Sequence, residues 1–84
     1  MTILATTKSG SEYIFTQNEN GELLVMKGIM TGKVTQMHRP IEVGNILEFD
    51  FIRDGIYGEP EGNPIYFQST ELVTISVSDL ITRK

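Results

Sequence analysis

Few side chains in this sequence are of a type that does chemistry, so their spacing can be weighed one by one. His38 is the sole histidine, and there is no cysteine. A catalytic imidazole needs a positioned nucleophile and an orienting carboxylate, and the spacing supplies neither. One imidazole among scattered carboxylates is also a poor ligand set for zinc. The plain reading of His38 and its neighbour Arg39 is a polar surface pair ahead of the Pro40 turn, with a ligand-contact role left open. Glu48 and Asp50 stand two apart, which on a strand puts both on one face. Such a pair can serve acid–base chemistry or a hard cation, but is more commonly the solvated side of an amphipathic strand. Gly28-Ile29-Met30-Thr31-Gly32-Lys33-Val34 is one residue too short between its glycines for a phosphate loop. It also lacks the hydroxyl after its lysine that would hold magnesium. Nucleotide hydrolysis is therefore rejected, and the acids Asp54, Glu59 and Glu61 do not match a calcium-loop spacing.

The segment 54–64 is the strongest functional candidate. It holds three glycines and two prolines, which makes it a loop, and loops this long in small domains are commonly functional or disordered. Ile56 and Tyr57 within it are hydrophobic groups with no evident place in a core. A tyrosine offers a flat apolar ring with a polar tip, suited to a partner protein or a base. The alternative is that Tyr57 folds back as a lid on the core. Arg53 at the loop's entrance could present a fork to a carboxylate or phosphate, or pair with Asp54 or Glu59.

Composition narrows the classes. With 84 residues, 39% of them hydrophobic and 21% charged, the chain suits a single soluble domain over 1–84 with one thin core. Seven basic against 11 acidic residues give a net charge of −4, and the basic residues form no run. Nucleic-acid binders cluster Lys and Arg to displace counterions, so that function is disfavoured. The absence of cysteine removes disulfides, thiolate metal sites and thiol nucleophiles. A small domain without such staples commonly gains stability by self-association. No apolar run approaches the ~18 residues of a membrane span, and the first residues do not read as a signal peptide, so a cytoplasmic location is expected.

The elements that must position these residues read as strands. Short β-branched or aromatic stretches cover 3–7, 11–16 and 22–27, separated by the turn dipeptides Ser9-Gly10 and Asn20-Gly21. The stretch 33–38 alternates and is a further candidate, followed by a turn-rich connection. Over 46–53, Leu47, Phe49 and Phe51 fall on one face, with Glu48 and Asp50 on the other, the period of a half-buried strand. Two more strands are expected over 65–69 and 72–77, the second with Val73, Ile75 and Val77 facing one way. Residues 78–84 read as a frayed end or one helical turn. Six or so short strands without a helix make an all-β domain, and closure into a small antiparallel β-barrel of SH3-like or OB-like size hides the strand edges. The expected core is Ile3, Tyr13, Phe15, Leu24, Leu47, Phe49, Phe51, Phe67, Val73, Ile75 and Val77.

The opening Thr7-Lys8-Ser9-Gly10-Ser11-Glu12-Tyr13, with Gly44-Asn45-Ile46-Leu47 in the middle and Ser69 to Ile75 near the end, resembles small β-barrel proteins of bacteriophages and prophages. The resemblance implies a compact barrel of viral or mobile-element origin that acts by binding, blocking a host factor or holding a signalling molecule. No catalytic residue or cofactor comes with it. The leading expectation is a non-enzymatic, homo-oligomeric binding protein. It would act through Tyr57, Ile56, Arg53, Arg39, His38 and Tyr66 on a host protein or an anionic small molecule such as a nucleotide. A structural part of a phage particle whose strand edges pair is the second reading. The third is a nucleic-acid-binding barrel stacking bases on Tyr13 and Tyr66.

Overall fold

The computed structural model describes residues 1–54 and 62–78. The expectations for Ile56 and Tyr57 and for the last six residues lie outside these. Six strands run in chain order: β1 (Thr2–Thr7), β2 (Glu12–Gln17), β3 (Leu23–Lys27), β4 (Met30–Met37), β5 (Ile46–Arg53) and β6 (Ile65–Ser78). Each pairs antiparallel with the next, and β6 returns to β1, giving a closed all-β barrel in which every neighbour but that last is a sequence neighbour. Among the described residues, no helix is long and apolar enough to cross a membrane.

The interior follows from alternation. Leu47, Phe49 and Phe51 of β5 are all buried. The Phe49 ring meets the edge of Phe15 at 5.7 Å between centroids and packs at 5.2 Å on Phe67. Such offset and edge contacts add to simple area burial. Tyr13, Ala5 and Val25 complete the wall, with Ile3, Ile75 and Phe67 partly buried against it.

Three expectations about the core are corrected, two by register and one by position along the barrel. A two-residue turn at Asn20-Gly21 would have set Leu24 inward beside Phe15. Instead the Asn18 side-chain oxygen accepts the backbone N–H groups of Asn20 and Glu22, at 2.9 and 3.0 Å. The loop therefore spans five residues, and Gln17 pairs with Leu23 and Phe15 with Val25. A shift of one residue flips every side chain, so Val25 is buried and Leu24 faces outward. The second correction concerns Val73. It is the extra residue where the register with β1 slips, Thr6 pairing with Thr74 but Thr7 with Leu72. Leu72 takes the core position at 0% exposure, while Val73 stays 45% exposed. Third, Val77 shares the inward side with Ile75, but it lies opposite Ile3 at the barrel's open end and remains 58% exposed.

The two expected C-terminal strands are one. β6 runs unbroken for 14 residues, its first half paired with β5 and its second with β1. The bend between them carries a side-chain hydroxyl in the ladder. Leu47 N–H donates to Ser69 Oγ at 2.9 Å, and Ser69 Oγ–H donates to Thr70 O at 2.6 Å.

Candidate functional site

Three of the six expected site residues meet on the outer face of β4, β5 and β6. His38 follows β4 directly and donates its backbone N–H to Glu48 O at 2.9 Å, so its side chain is held over β5. Glu48 and Asp50 lie between the buried Leu47, Phe49 and Phe51, which forces both outward. Tyr66 of β6 is directly opposite Asp50. Cross-strand and diagonal neighbours on one face are within reach of long side chains, and the contacts here are diagonal. Arg39 Nε donates to Glu48 Oε1 at 2.6 Å, and Tyr66 Oη–H donates to Glu48 Oε2 at 2.5 Å. His38 Nε2 lies 3.2 Å from Asp50 Oδ1, and its ring centre is 5.8 Å from that of Tyr66.

Glu48 is the hub, with both carboxylate oxygens taken. Hydrogen bonds to the charged form favour it, so the Tyr66 hydroxyl, and then Arg39, hold the Glu48 carboxyl below its ordinary value. By the same bond Glu48 pushes the Tyr66 phenol above its ordinary value. The result is a preset surface: a half-exposed tyrosine ring fixed at its hydroxyl, flanked by an imidazole and a guanidinium whose positions are set by carboxylates. Among the described residues Arg39 donates only through its Nε, and its half-exposed side chain leaves the terminal nitrogens without a partner there.

The other expected residues are placed differently. Arg53 ends β5 opposite Gly32, exposed and without an ion pair among the described residues. Of its two expected partners, Glu59 lies outside the described residues, and Asp54 instead accepts the Thr31 hydroxyl at 2.9 Å and donates its own N–H to Thr31 O. Ile56 and Tyr57 lie outside the described residues. Glu48 and Asp50, which sequence reasoning weighed as an acid pair or a solvated face, are the anchors of the cluster. The pairings depend on the β4–β5–β6 register, and the local sequence carries no signal for that. Among the described residues, no group of three or more His, Asp or Glu side chains is placed to hold a metal ion.

Apart from this cluster, a shallow groove of about 200 Å³ lies on the outer face of β2, β3 and β4. Ile14, Leu24 and Met26 supply its apolar wall, and Thr31 and Asp54 its polar end. It exists because the five-residue β2–β3 loop turns Leu24 and Met26 outward. Comparison of the chain with protein-family models, with curated proteins and with solved structures found no match.

Proposed function

We propose that this protein is a non-enzymatic binding module that recognises another protein through the outer face of β4–β6, with Tyr66 as the anchor. The observation that carries the reading is the half-exposed Tyr66 ring, 53% accessible yet tied to Glu48 and set beside His38 and Arg39. Tyrosine and arginine are the side chains that most commonly dominate interface energetics. A ring already held in place loses little freedom on docking.

The internal pairing also separates the two kinds of target expected from sequence. An anionic small molecule would find only the open edge of Arg39, beside the Glu48 and Asp50 carboxylates, which repel it. A protein surface can instead lay an apolar patch on the ring and present a carboxylate or carbonyl to the open end of Arg39. The likeness of the opening hairpin to phage and prophage proteins supports a host-cell protein as the target.

The test is affinity capture from cells, followed by measured binding of the captured protein. Tyr66→Ala should weaken it by at least about tenfold, or ~1.4 kcal/mol, with the cooperative fold retained. A partner that binds Tyr66→Ala as tightly as the parent, or a retained small anion in native mass spectrometry of the purified protein, would sink the proposal.

A further inference from the structure

The barrel closes only because β6 is long enough to serve two neighbours in turn, and this leaves each half of it paired along one edge. The direction of the free groups follows from the ladder. Thr7 N–H donates to Ser11 O across β1–β2. Backbone groups alternate along a strand, so Ile3 and Ala5 also face β2, while Thr2, Leu4 and Thr6 face β6. Their partners Ser78, Ser76 and Thr74 therefore bond β1. Ile75 and Val77 turn their N–H and C=O groups the other way, where no described strand lies. The loop between β4 and β5 covers this side only as far as Leu72, which exchanges bonds with Asn45 and Gly44.

We infer that a second copy of this chain adds along this edge, antiparallel about a two-fold axis at Ser76, so that Ile75 of each copy pairs with Val77 of the other. The pairing would form four N–H···O bonds from groups that no described strand takes up. On the inward side of the sheet, the exposed Val77 comes to rest beside Ile75 of the second copy. On the outer side, Ser76 meets its own counterpart, and Thr74 meets Ser78, all small enough to pass.

Charge and symmetry both favour an identical partner. A two-fold contact sets each strand against its own sequence. Residues 72–78 read Leu-Val-Thr-Ile-Ser-Val-Ser, without a charge, proline or glycine. The edge thus lacks the lysines, prolines and inward charges by which monomeric proteins block such pairing. It is uncharged in a molecule of net charge −4, so two identical strands meet there without repulsion.

Sedimentation equilibrium across micromolar to submillimolar concentrations, with hydrogen exchange on the same samples, tests this. A dimer is expected in which the Ile75 and Val77 amides are protected along with those of Thr74 and Ser76. Dilution to monomer should release Ile75 and Val77 alone. Val77→Pro removes one unpaired N–H and leaves the β1 ladder intact, so it should weaken dimerisation at least tenfold. Gln68→Pro, on the other half of β6, should not weaken it. Should Val77→Pro fail to fold by circular dichroism, Val77→Lys serves the same purpose by placing a cation in the contact. A monomer at every concentration, or a dimer whose Ile75 and Val77 amides exchange freely, would overturn the inference.

Discussion

Tyr66 and Glu48 share one proton-sensitive bond, and its behaviour at each end of the pH scale can be stated with its sign. Glu48 is held below its ordinary 4.5, first by Tyr66 and then by Arg39. What the bond contributes to stability is therefore fully present above that value, and fades as pH falls through the lower, folded value. Tyr66 is raised above its ordinary 10.0 by the same carboxylate. Its share is complete below 10.0, and is lost as pH rises through the higher, folded value. The Tyr66–Glu48 bond should therefore keep one form across the neutral range. Ring-labelled NMR should show Tyr66 ionising above pH 10.0. Glu48→Gln should bring that midpoint back toward the ordinary value, since the amide still accepts the bond but carries no charge. An unmoved midpoint would mean that Glu48 does not govern the phenol. Tyr13 also ionises late, but by burial in the wall rather than by a charged partner. Glu48→Gln should leave it where it is.

Strands and turns decide which of these residues can meet. In β3 the deciding contact is the Asn18 side chain, whose bonds to Asn20 and Glu22 lengthen the turn by enough to exchange Leu24 for Val25 in the core. Val25→Ala should cost roughly 2 kcal/mol, the loss of two buried methyl groups and the space they leave. Leu24→Ser should change stability by less than about 0.5 kcal/mol. Thermal melts of the two variants check this, and the reverse order would mean that the strand is flipped. Gly32 in β4 shows a second local constraint. A Cβ there would sit 2.7 Å from Ile52 O and 2.9 Å from the Phe51 ring. Gly32→Ala should therefore destabilise by about 1–3 kcal/mol through overpacking, although alanine is otherwise no worse in a strand. An unchanged melting temperature would show that β4 and β5 can part at no cost. The same cases explain what could be read from sequence. Strand β5 was legible because Leu47, Phe49 and Phe51 alternate without interruption, and the all-β class followed from such alternation and the turn dipeptides. The side of Leu24 was not, because one hydrogen-bonded side chain in a turn outweighs the pattern. Nor was the fusion of the last two strands, since Thr70 and Glu71 read as a break, whereas the Ser69 hydroxyl links Leu47 N–H to Thr70 O and carries the strand through. His38, Arg39 and Tyr66 were each visible as candidates. Their union through Glu48 and Asp50 was not, because it depends on pairings up to 18 residues apart.

At the scale of the whole molecule, closure joins the two ends of the described chain, Thr2 pairing with Ser78. Nothing local holds β1 to β6, so the barrel forms or fails as one unit, and folding on the millisecond-to-second scale of non-local β-topologies is expected. The joint that makes closure possible is Leu72. It is fully buried, lies at the register slip with β1, and exchanges backbone bonds with Gly44 and Asn45 of the β4–β5 loop. It thereby ties together three parts of the wall that are distant in sequence. A domain of this length holds a total stability of about 4–13 kcal/mol at the usual ~0.05–0.15 kcal/mol per residue. Leu72→Ala should remove on the order of 2–5 kcal/mol of that, with a single cooperative transition retained. Its neighbour Val73, exposed at the slip itself, should tolerate alanine within about 0.5 kcal/mol. Urea unfolding of both variants by circular dichroism and by tyrosine fluorescence separates the cases. If Leu72→Ala splits the transition, so that the two signals no longer coincide, the two halves of β6 belong to sheets that melt independently. The joint would then lie elsewhere than at Leu72.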